Sequence, residues 1–567
     1  MTATIESSPK VDATTASLNI ADRMRQQAQL RGTARAVVVP ESYDARGRRC
    51  YAHLTFAQLD HAIDRYAAGL ASLGVKPGMR CLLMVKPSLE FFGLTFALFR
   101  LGAVPVLIDP AMGRTNVLGA IGEVAPEAFI AIPRGHVARL MFGRSFQSVK
   151  INVTVGSRWF WGGVTLDDVE ALGAKEEVPE VHTTAADTAA ILFTSGSTGA
   201  PKGVLYTHGI FDAQVRIFED DFKIEPGEVD LSAFPLFSLF SAALGVTVVV
   251  PDMDATKPAF VDGAKICEAI EDQGVTYAFG SPAFWHRVTT YCEDNDVTLP
   301  SLRRVLMAGA PCPVTLLERV LKRVSSTADA FTPYGATECL PITLPSARKL
   351  VASGASAQTS AGRGTYVGAP IANTEVKIIA IRDEPIARLA DAEVLPAGEI
   401  GEIVVRSEVT TQGYFQRPDD DARSKVSDGS AHLWHRMGDV GYLDDQGQLW
   451  FCGRKSHRLE TSEGPMFTVC CEAIFNQHDR VYRSALVGLG DRGQQRPVII
   501  VECTPEGRTT GKGDEATLRA ELLALAKTSP LTASIETVLF HDAFPVDARH
   551  NAKIRREDLT VWAKGVV

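Results

Sequence analysis

Little in this chain suggests an exported, membrane-spanning or nucleic-acid-binding protein. Only 10 of its 567 residues are cysteine, and no C-x-x-C pair occurs. Cys470 and Cys471 are the only adjacent pair. This excludes a disulfide scaffold and the common zinc sites, and it reads as the reduced, mostly buried thiols of a cytoplasmic protein. Long apolar runs are also missing. The longest, Leu236–Val250, is broken by Ser238, Ser241 and Gly245 and falls short of the roughly 18 residues that span a bilayer. No transmembrane segment is expected. Residues 1–25 read as a loose leader; Met1 to Asp22 are rich in Ser, Thr and Ala without the apolar core of a signal peptide. Positive charge is not in excess. The net charge of −9 argues against nucleic acid or an anionic membrane as partner. No internal repeat is evident.

What is present is ordinary globular material. The chain is 46% hydrophobic and 22% charged, which suits large cores, and its length suits roughly two to four domains. Its most informative segment is Thr194 to Gly203, T-S-G-S-T-G-A-P-K-G. Gly196, Gly199 and Gly203 allow tight turns that present backbone N–H groups. Ser195, Ser197 and Thr198 add hydroxyl donors, and Lys202 adds a positive charge. That set suits a polyphosphate. The apolar run Ala189 to Phe193 before it reads as a buried strand. A flexible Ser/Gly/Thr linker has the same composition. A Walker A loop is excluded, because the second glycine counted from Gly196 is Pro201.

A β-α-β rhythm surrounds this segment. Arg80–Lys86 and Ala103–Ile108 read as strands flanking an apolar helix, Leu89–Leu101, that stops at Gly102. The rhythm returns at Lys265–Ala278, and it predicts a parallel sheet covered by helices. From about Asn373 short alternating strands take over: Glu375–Ala380, Glu402–Arg406, and a hairpin over Tyr442–Gly453 turning at Asp445–Gly447. A charged stretch begins at Arg454, and a domain boundary is placed at Arg454–Arg458. Gly488 to Gly493 fits G-x-G-x-x-G, but a strand-like Pro497–Val501 follows where a dinucleotide site needs a helix, so it reads as a hairpin loop.

Four further signals follow in order. Gly309, Ala310 and Pro311, in M-A-G-A-P, form a small-residue turn that allows close backbone approach to a flat ring. Tyr334-Gly335-Ala336-Thr337-Glu338 joins a stacking aromatic, a turn, a hydroxyl and a carboxylate, the last suited to Mg²⁺. Asp439 can accept from two ribose hydroxyls, or be a turn aspartate. Arg454 can bind ribose or phosphate. Lys553, in N-A-K-I-R-R, is in isolation a surface charge.

Together the motifs resemble those of the adenylate-forming superfamily of acyl-CoA synthetases, adenylation domains and luciferases, over about residues 55–565. The resemblance implies an α/β fold. It consists of a large N-terminal adenylation domain (26–453) of βαβ-type sheets plus a distorted β-barrel, and a small mobile α+β C-terminal lid domain (454–567). It also implies ATP and Mg²⁺. Thr194, Ser195, Gly196, Ser197, Thr198, Gly199 and Lys202 would hold the β- and γ-phosphates. Glu338 with Thr198 would bind Mg²⁺. Gly309, Ala310, Pro311 and Tyr334, with Gly335 and Thr337 in the same turn, would enclose adenine. Asp439 and Arg454 would hold ribose, and Lys553 would be the catalytic lysine.

Departures from the common pattern concern the second half-reaction. The hinge reads Gly453-Arg-Lys-Ser-His-Arg-Leu-Glu460, with Ser456 and His457 where aspartates are usual in acyl-CoA synthetases. Of the later P-x-E-I-E motif only Glu472 survives, Pro235-Leu-Phe-Ser238 ends in serine instead of histidine, and Ala552 replaces a glycine. The thiol-transfer machinery is therefore altered. A hydroxyl within the substrate remains as nucleophile, and an intramolecular attack starts with up to about 7–11 kcal/mol of entropic advantage. With A-F-P-L-F-S-L-F-S-A-A-L-G and R-H-N-A-K-I-R-R, the whole chain looks like the β-lactone synthetases of bacterial long-chain olefin biosynthesis. That implies a 2-alkyl-3-hydroxyalkanoic acid substrate, and a place among olefin-pathway enzymes (a β-lactone decarboxylase, a condensing enzyme, a reductase). A long-chain acyl-CoA synthetase is the alternative, and a non-catalytic relative a further one. His208 reads as a general base or, preferentially, a structural histidine; the aromatics of Tyr277–Trp285 read equally as acyl pocket or core.

Overall fold

A computed structural model describes residues 17–194, 201–508, 511–546 and 553–567, and it divides into two compact units. The first holds Met1–Asp252 and Thr411–Arg417. Its main sheet has seven strands in the spatial order Val164–Thr165, Ile151–Thr154, Ala128–Ala131, Arg80–Met84, Val104–Ile108, Thr188–Thr194, Lys202–Thr207. Neighbours are parallel except for the last pair, which form a hairpin. The expected β-α-β unit is present. Ser88 caps the helix Leu89–Arg100 by accepting from the Phe91 N–H, and every residue from Phe91 to Arg100 is buried. Burying Arg100 is tolerated because Asp60 and Asp64 each accept from its guanidinium at 2.6 Å. Gly102, at φ 60°, turns the chain out of the helix. A second group of strands joins Val229–Ser232, Thr247–Val249, Arg35–Tyr43 and Arg49–Thr55.

Structure begins earlier than the composition of the leader suggests. Helix Ile20–Arg31 starts inside it, capped by Asn19, with Ile20, Ala21 and Met24 buried. Small and polar neighbours mask this short apolar face in the sequence.

The second unit holds Met253–Thr410 and Pro418–Val567. Three parallel strands, Tyr277–Gly280, Arg304–Met307 and Asp329–Phe331, alternate with helices Pro282–Asp294 and Val314–Arg323. An antiparallel sheet follows in the order Thr365–Gly368, Leu449–Arg454, Trp434–Leu443, Gly401–Ser407, Thr374–Ile379, with Lys425–Val426 also paired to Trp434–Leu443. Beyond it, Val481–Leu489, Arg496–Cys503 and Thr537–Phe540 form a small sheet. Two apolar cores lie against that sheet and draw only on residues between Leu459 and Ala563. The G-x-G-x-x-G segment is the loop of the Val481–Leu489/Arg496–Cys503 hairpin, with no helix after it, as its flanks indicate.

One glycine of the decapeptide has a different duty from the one expected. Gly203 is paired with Phe193 in the strand ladder, so it is not part of the turn. A Cβ there would lie 2.9 Å from both Ile191 and the Phe193 ring. Gly203→Ala should therefore destabilise the fold by about 1–3 kcal/mol through overpacking. Denaturant unfolding measures this, and an unchanged midpoint would show that the crowding is absent.

Candidate active site

In the first unit, Thr194 and Lys202 are cross-strand partners at the end of the hairpin. The connecting residues Ser195, Gly196, Ser197, Thr198 and Gly199 lie outside the described residues, and so does the side chain of Thr194. Lys202 opens the second strand, its Nζ 5.0 Å from the centroid of the Tyr414 ring. Tyr414 is itself held against this strand: Leu205 N–H donates to Gly413 O at 3.2 Å, and Phe415 N–H donates to Gly203 O at 2.8 Å. The ring gives the lysine a cation–π partner that restricts where its ammonium can go. The sequence carries no signal for this partner, 212 residues away by numbering.

In the second unit, one buried carboxylate gathers three of the expected residues. Asp439 and Arg454 are cross-strand neighbours in the antiparallel sheet. Arg454 Nη1 stands 2.8 Å from Asp439 Oδ1, and the Tyr334 hydroxyl donates to Asp439 Oδ2 at 2.7 Å. The Arg454 contact pairs the two charges across neighbouring strands, and Asp439 Oδ1 is buried. A buried acceptor of that kind is suited to a ligand hydroxyl. Burial raises the Asp439 carboxyl above the usual range, against the Arg454 charge and the Tyr334 hydrogen bond. Asp439 in turn raises Arg454, and burial with the Asp439 charge pushes the Tyr334 phenol well above its ordinary value. Arg454 is thereby held as guanidinium and Tyr334 as neutral phenol, while burial of Asp439 works against its charge. Lys455, next to Arg454, is tied to buried Glu402 at 2.9 Å, and Arg436 holds the same carboxylate at 2.7 Å. The strand end that carries Arg454 is thus fixed.

Tyr334–Ala336 pairs with Cys339–Thr343 in a tight hairpin, and Thr337 and Glu338 are its two turn residues. Gly335 is required there, because a Cβ would lie 2.7 Å from Cys339 O. Glu338 acts electrostatically on Asp439 and Arg454, so the turn delivers its carboxylate to the same locality. Gly309, at φ 96°, begins the small-residue turn directly after strand Arg304–Met307. Sequence reasoning missed Lys425. It is only 8% exposed, and burial lowers its ammonium to about 8 against the charges of Glu338, Cys339 and Asp421. Its only trace in the sequence is a lysine paired into a strand, opposite His435.

The expected catalytic lysine is exposed. Lys553 precedes Ile554, which bridges to Val546, and the chain is then anchored firmly. Arg556 Nη2 donates to both Glu472 oxygens at 2.6 Å, and Glu472 Oε1 also accepts from Leu486 N–H at 2.8 Å. Glu472, the survivor of the later motif, thus clasps the segment that bears Lys553. His457 of the altered hinge faces Glu557 at 3.5 Å. Burial, followed by the Arg556 charge, lowers it to about 4, so the hinge imidazole is neutral at neutral pH. His208 is also accounted for structurally. It is fully buried, accepts from Ile20 N–H at 3.2 Å, and is lowered to about 4 by burial. Tyr277, Phe284 and Trp285 are buried, and Phe279 is only partly buried.

Arg454→Met should leave Asp439 charged without its cation. The cost is about 1–3 kcal/mol, below that of a fully buried pair because a third of the guanidinium is exposed. The variant's carboxyl is raised further, so its penalty is small at acid pH, where Asp439 takes a proton, and grows as pH rises through that pKa. Unfolding titrations across pH test this, and adding Asp439→Asn should restore part of the loss. A pH-independent penalty would contradict the charge coupling.

Tyr334, Glu338, Asp439 and Arg454 thus share one locality of the second unit, and comparisons with known proteins identify the family. Residues 24–415 match the family described as AMP-binding enzyme. Over 550 residues the chain is 46% identical to an olefin β-lactone synthetase of Xanthomonas campestris pv. campestris, covering 96% of this chain and 97% of that one. A Stenotrophomonas maltophilia protein of the same name is 46% identical over 551 residues, covering 96% and 98%. Among solved structures, O-succinylbenzoate coenzyme A synthetase of Bacillus subtilis, in complex with ATP and magnesium ion, superposes with a TM-score of 0.71 at 22% identity, covering 94% of this chain and 98% of that one. With a match that spans most of its length and relatives aligned nearly end to end, the chain belongs to the AMP-binding enzymes.

Proposed function

We propose that the protein is an ATP-dependent β-lactone synthetase that activates a 2-alkyl-3-hydroxyalkanoic acid as its acyl-adenylate and closes it to the lactone. The observation that carries this reading is the 46% identity, nearly end to end, to two olefin β-lactone synthetases. In the first step the substrate carboxylate attacks the α-phosphorus of ATP, an acyl–O–P bond forms, and diphosphate leaves. In the second the 3-hydroxyl oxygen attacks the activated carbonyl carbon, the bond to AMP breaks, and the hydroxyl proton passes to solvent or a base. AMP carries away the oxygen it shared with the acyl group.

Each expected residue has a physical task in the first step. Asp439 Oδ1 accepts from a ribose hydroxyl, and the Arg454 charge favours the ionised carboxylate. Tyr334 lends its ring to the adenine while its hydroxyl stays engaged with Asp439. Gly309, Ala310 and Pro311 bound the other side of the ring. Thr194, Ser195, Gly196, Ser197, Thr198, Gly199 and Lys202 hold the β- and γ-phosphates. Lys553 meets the charge that builds when two anions approach, a cation placed for the transition state. Glu338 fits Mg²⁺, with Thr198 as a second oxygen ligand, because this ion uses one or two protein oxygens and takes the rest from phosphate and water. Mg²⁺ would neutralise charge on the departing diphosphate.

Residues 454–567 act in this reading as a mobile lid that brings Lys553 to the acyl carboxylate, and 26–453 as the adenylation domain. The separate apolar cores between Leu459 and Ala563 support that division. The lactone is strained and retains its carboxyl carbon, so a decarboxylating enzyme is the natural consumer, in a cytoplasmic assembly with a condensing enzyme and a reductase. The described cysteines are all unbridged, which suits a reducing compartment.

Incubation with a 2-alkyl-3-hydroxy acid, ATP and Mg²⁺ should give β-lactone, AMP and diphosphate, and adding coenzyme A should not divert the product. A thioester without lactone would overturn the reading in favour of an acyl-CoA synthetase. Lys553→Ala should lower ATP–diphosphate exchange by on the order of 10²–10³-fold while the fold persists. Near-normal exchange in a folded variant would remove that lysine from the mechanism.

A further inference from the structure

The first unit carries a basic, aromatic surface whose chemistry matches an anionic lipid headgroup layer. Residues 128–166 contain Arg134, Arg139, Arg144, Lys150 and Arg158 but no Asp or Glu, within a chain of net charge −9. Arg134, Arg144, Lys150 and Arg158 are exposed. Of the flanking acids, Glu127 pairs with Arg80 at 3.3 Å, Asp168 takes part in a capping box with Thr165 while lying within reach of the Arg158 charge, and Asp167 stands exposed in the first turn of helix Leu166–Gly173.

In the same stretch of chain stand large exposed apolar side chains. Trp159 is 61% exposed and Phe160 80% exposed. Leu140 and Met141, at the end of helix Pro133–Met141, are 48% and 70% exposed. The two aromatics are displayed on a braced segment. Next to them, Trp161 is buried, stacks on His136 at 5.5 Å and 7°, and donates from Nε1 to Thr154 Oγ1 at 2.9 Å. Arg139 Nη2 donates to Trp161 O at 2.8 Å, which ties the segment to the helix bearing Leu140 and Met141. Trp159 and Phe160 pack their rings on Trp161 at 5.4 and 5.7 Å. Gly162 and Gly163 have φ of 76° and 78°, and a Cβ on Gly163 would strike Asn152 O at 2.4 Å. The fold therefore specifies a turn that holds a Trp-Phe pair outward.

We propose that this surface is a peripheral membrane-docking site: Trp159 and Phe160 enter the interfacial layer, and Arg134, Arg144, Lys150 and Arg158 contact anionic headgroups. Braced aromatics provide apolar area at the headgroup boundary at little entropic cost. Each nearby cation adds attraction to an anionic leaflet that decays within a Debye length. Apolar exposure alone would serve a protein partner equally well; the local excess of cations without acids is what selects the lipid surface. The surface's chemistry does not depend on which acid the enzyme activates.

The full-length protein is to be sedimented with phosphatidylcholine vesicles prepared with and without phosphatidylglycerol. It should bind the anionic vesicles, bind pure phosphatidylcholine weakly, and release as salt is raised. Trp159→Ser with Phe160→Ser should lower the partition coefficient at least about tenfold, and Arg158→Glu should lower it several-fold and reduce the salt dependence, both with ATP–diphosphate exchange unchanged. Failure to bind anionic vesicles, or equal binding by the double variant, would overturn the proposal and leave this surface to a protein partner.

Discussion

A buried carboxylate organises the second unit. Asp439 is buried, and burial alone would favour its protonated form. Arg454 from the neighbouring strand and the Tyr334 hydroxyl oppose that shift. That requirement fixes a strand register, since Asp439 and Arg454 must stay directly opposed. It also fixes the hairpin that begins at Tyr334, and through its two-residue turn the placement of Glu338. The Asp439–Arg454 pair and the Glu338 turn thus come from one local constraint.

The same logic extends to the C-terminal segment. Glu472 is buried and held to Arg556 by two hydrogen bonds, which sets the path of the chain three residues after Lys553. His457, where relatives that make thioesters commonly carry an acid, is neutral and faces Glu557. The hinge has exchanged a carboxylate for an imidazole without gaining a charge. An enzyme whose second nucleophile is already part of the substrate has no need to admit a separate thiol, and the departures fall where thiol transfer is handled while the adenylation motifs are whole.

Much of this was legible in the chain because it is local. The strand Thr188–Thr194 before the phosphate segment, the helix Leu89–Arg100 stopped by Gly102, and the hairpin that disqualifies G-x-G-x-x-G all follow from short-range pattern. What was not legible depends on partners far away in sequence. Gly203 reads as a loop glycine until Phe193 and Ile191 are seen against it. Tyr414 reaches Lys202 only because Gly413 and Phe415 are bonded to that strand. Lys425 carries no periodic signal, and its burial beside the Glu338 charge exists only in the folded unit. The basic aromatic surface was hidden differently: a net charge of −9 averages away an acid-free stretch, and nothing in the sequence tells that of Trp159, Phe160 and Trp161 the first two are exposed. The phosphate loop proper, Ser195 to Gly199, rests on sequence alone, as it lies outside the described residues.

The central claim is that ATP activates the carboxyl group and the substrate's own hydroxyl displaces AMP. Isotope bookkeeping tests it directly. With ¹⁸O in the carboxylate of a 2-alkyl-3-hydroxy acid, AMP should acquire one labelled oxygen. With ¹⁸O at the 3-hydroxyl, the label should stay in the lactone ring and AMP should remain unlabelled. Label passing from the hydroxyl to AMP would mean that the alcohol is the group activated, and would contradict the account.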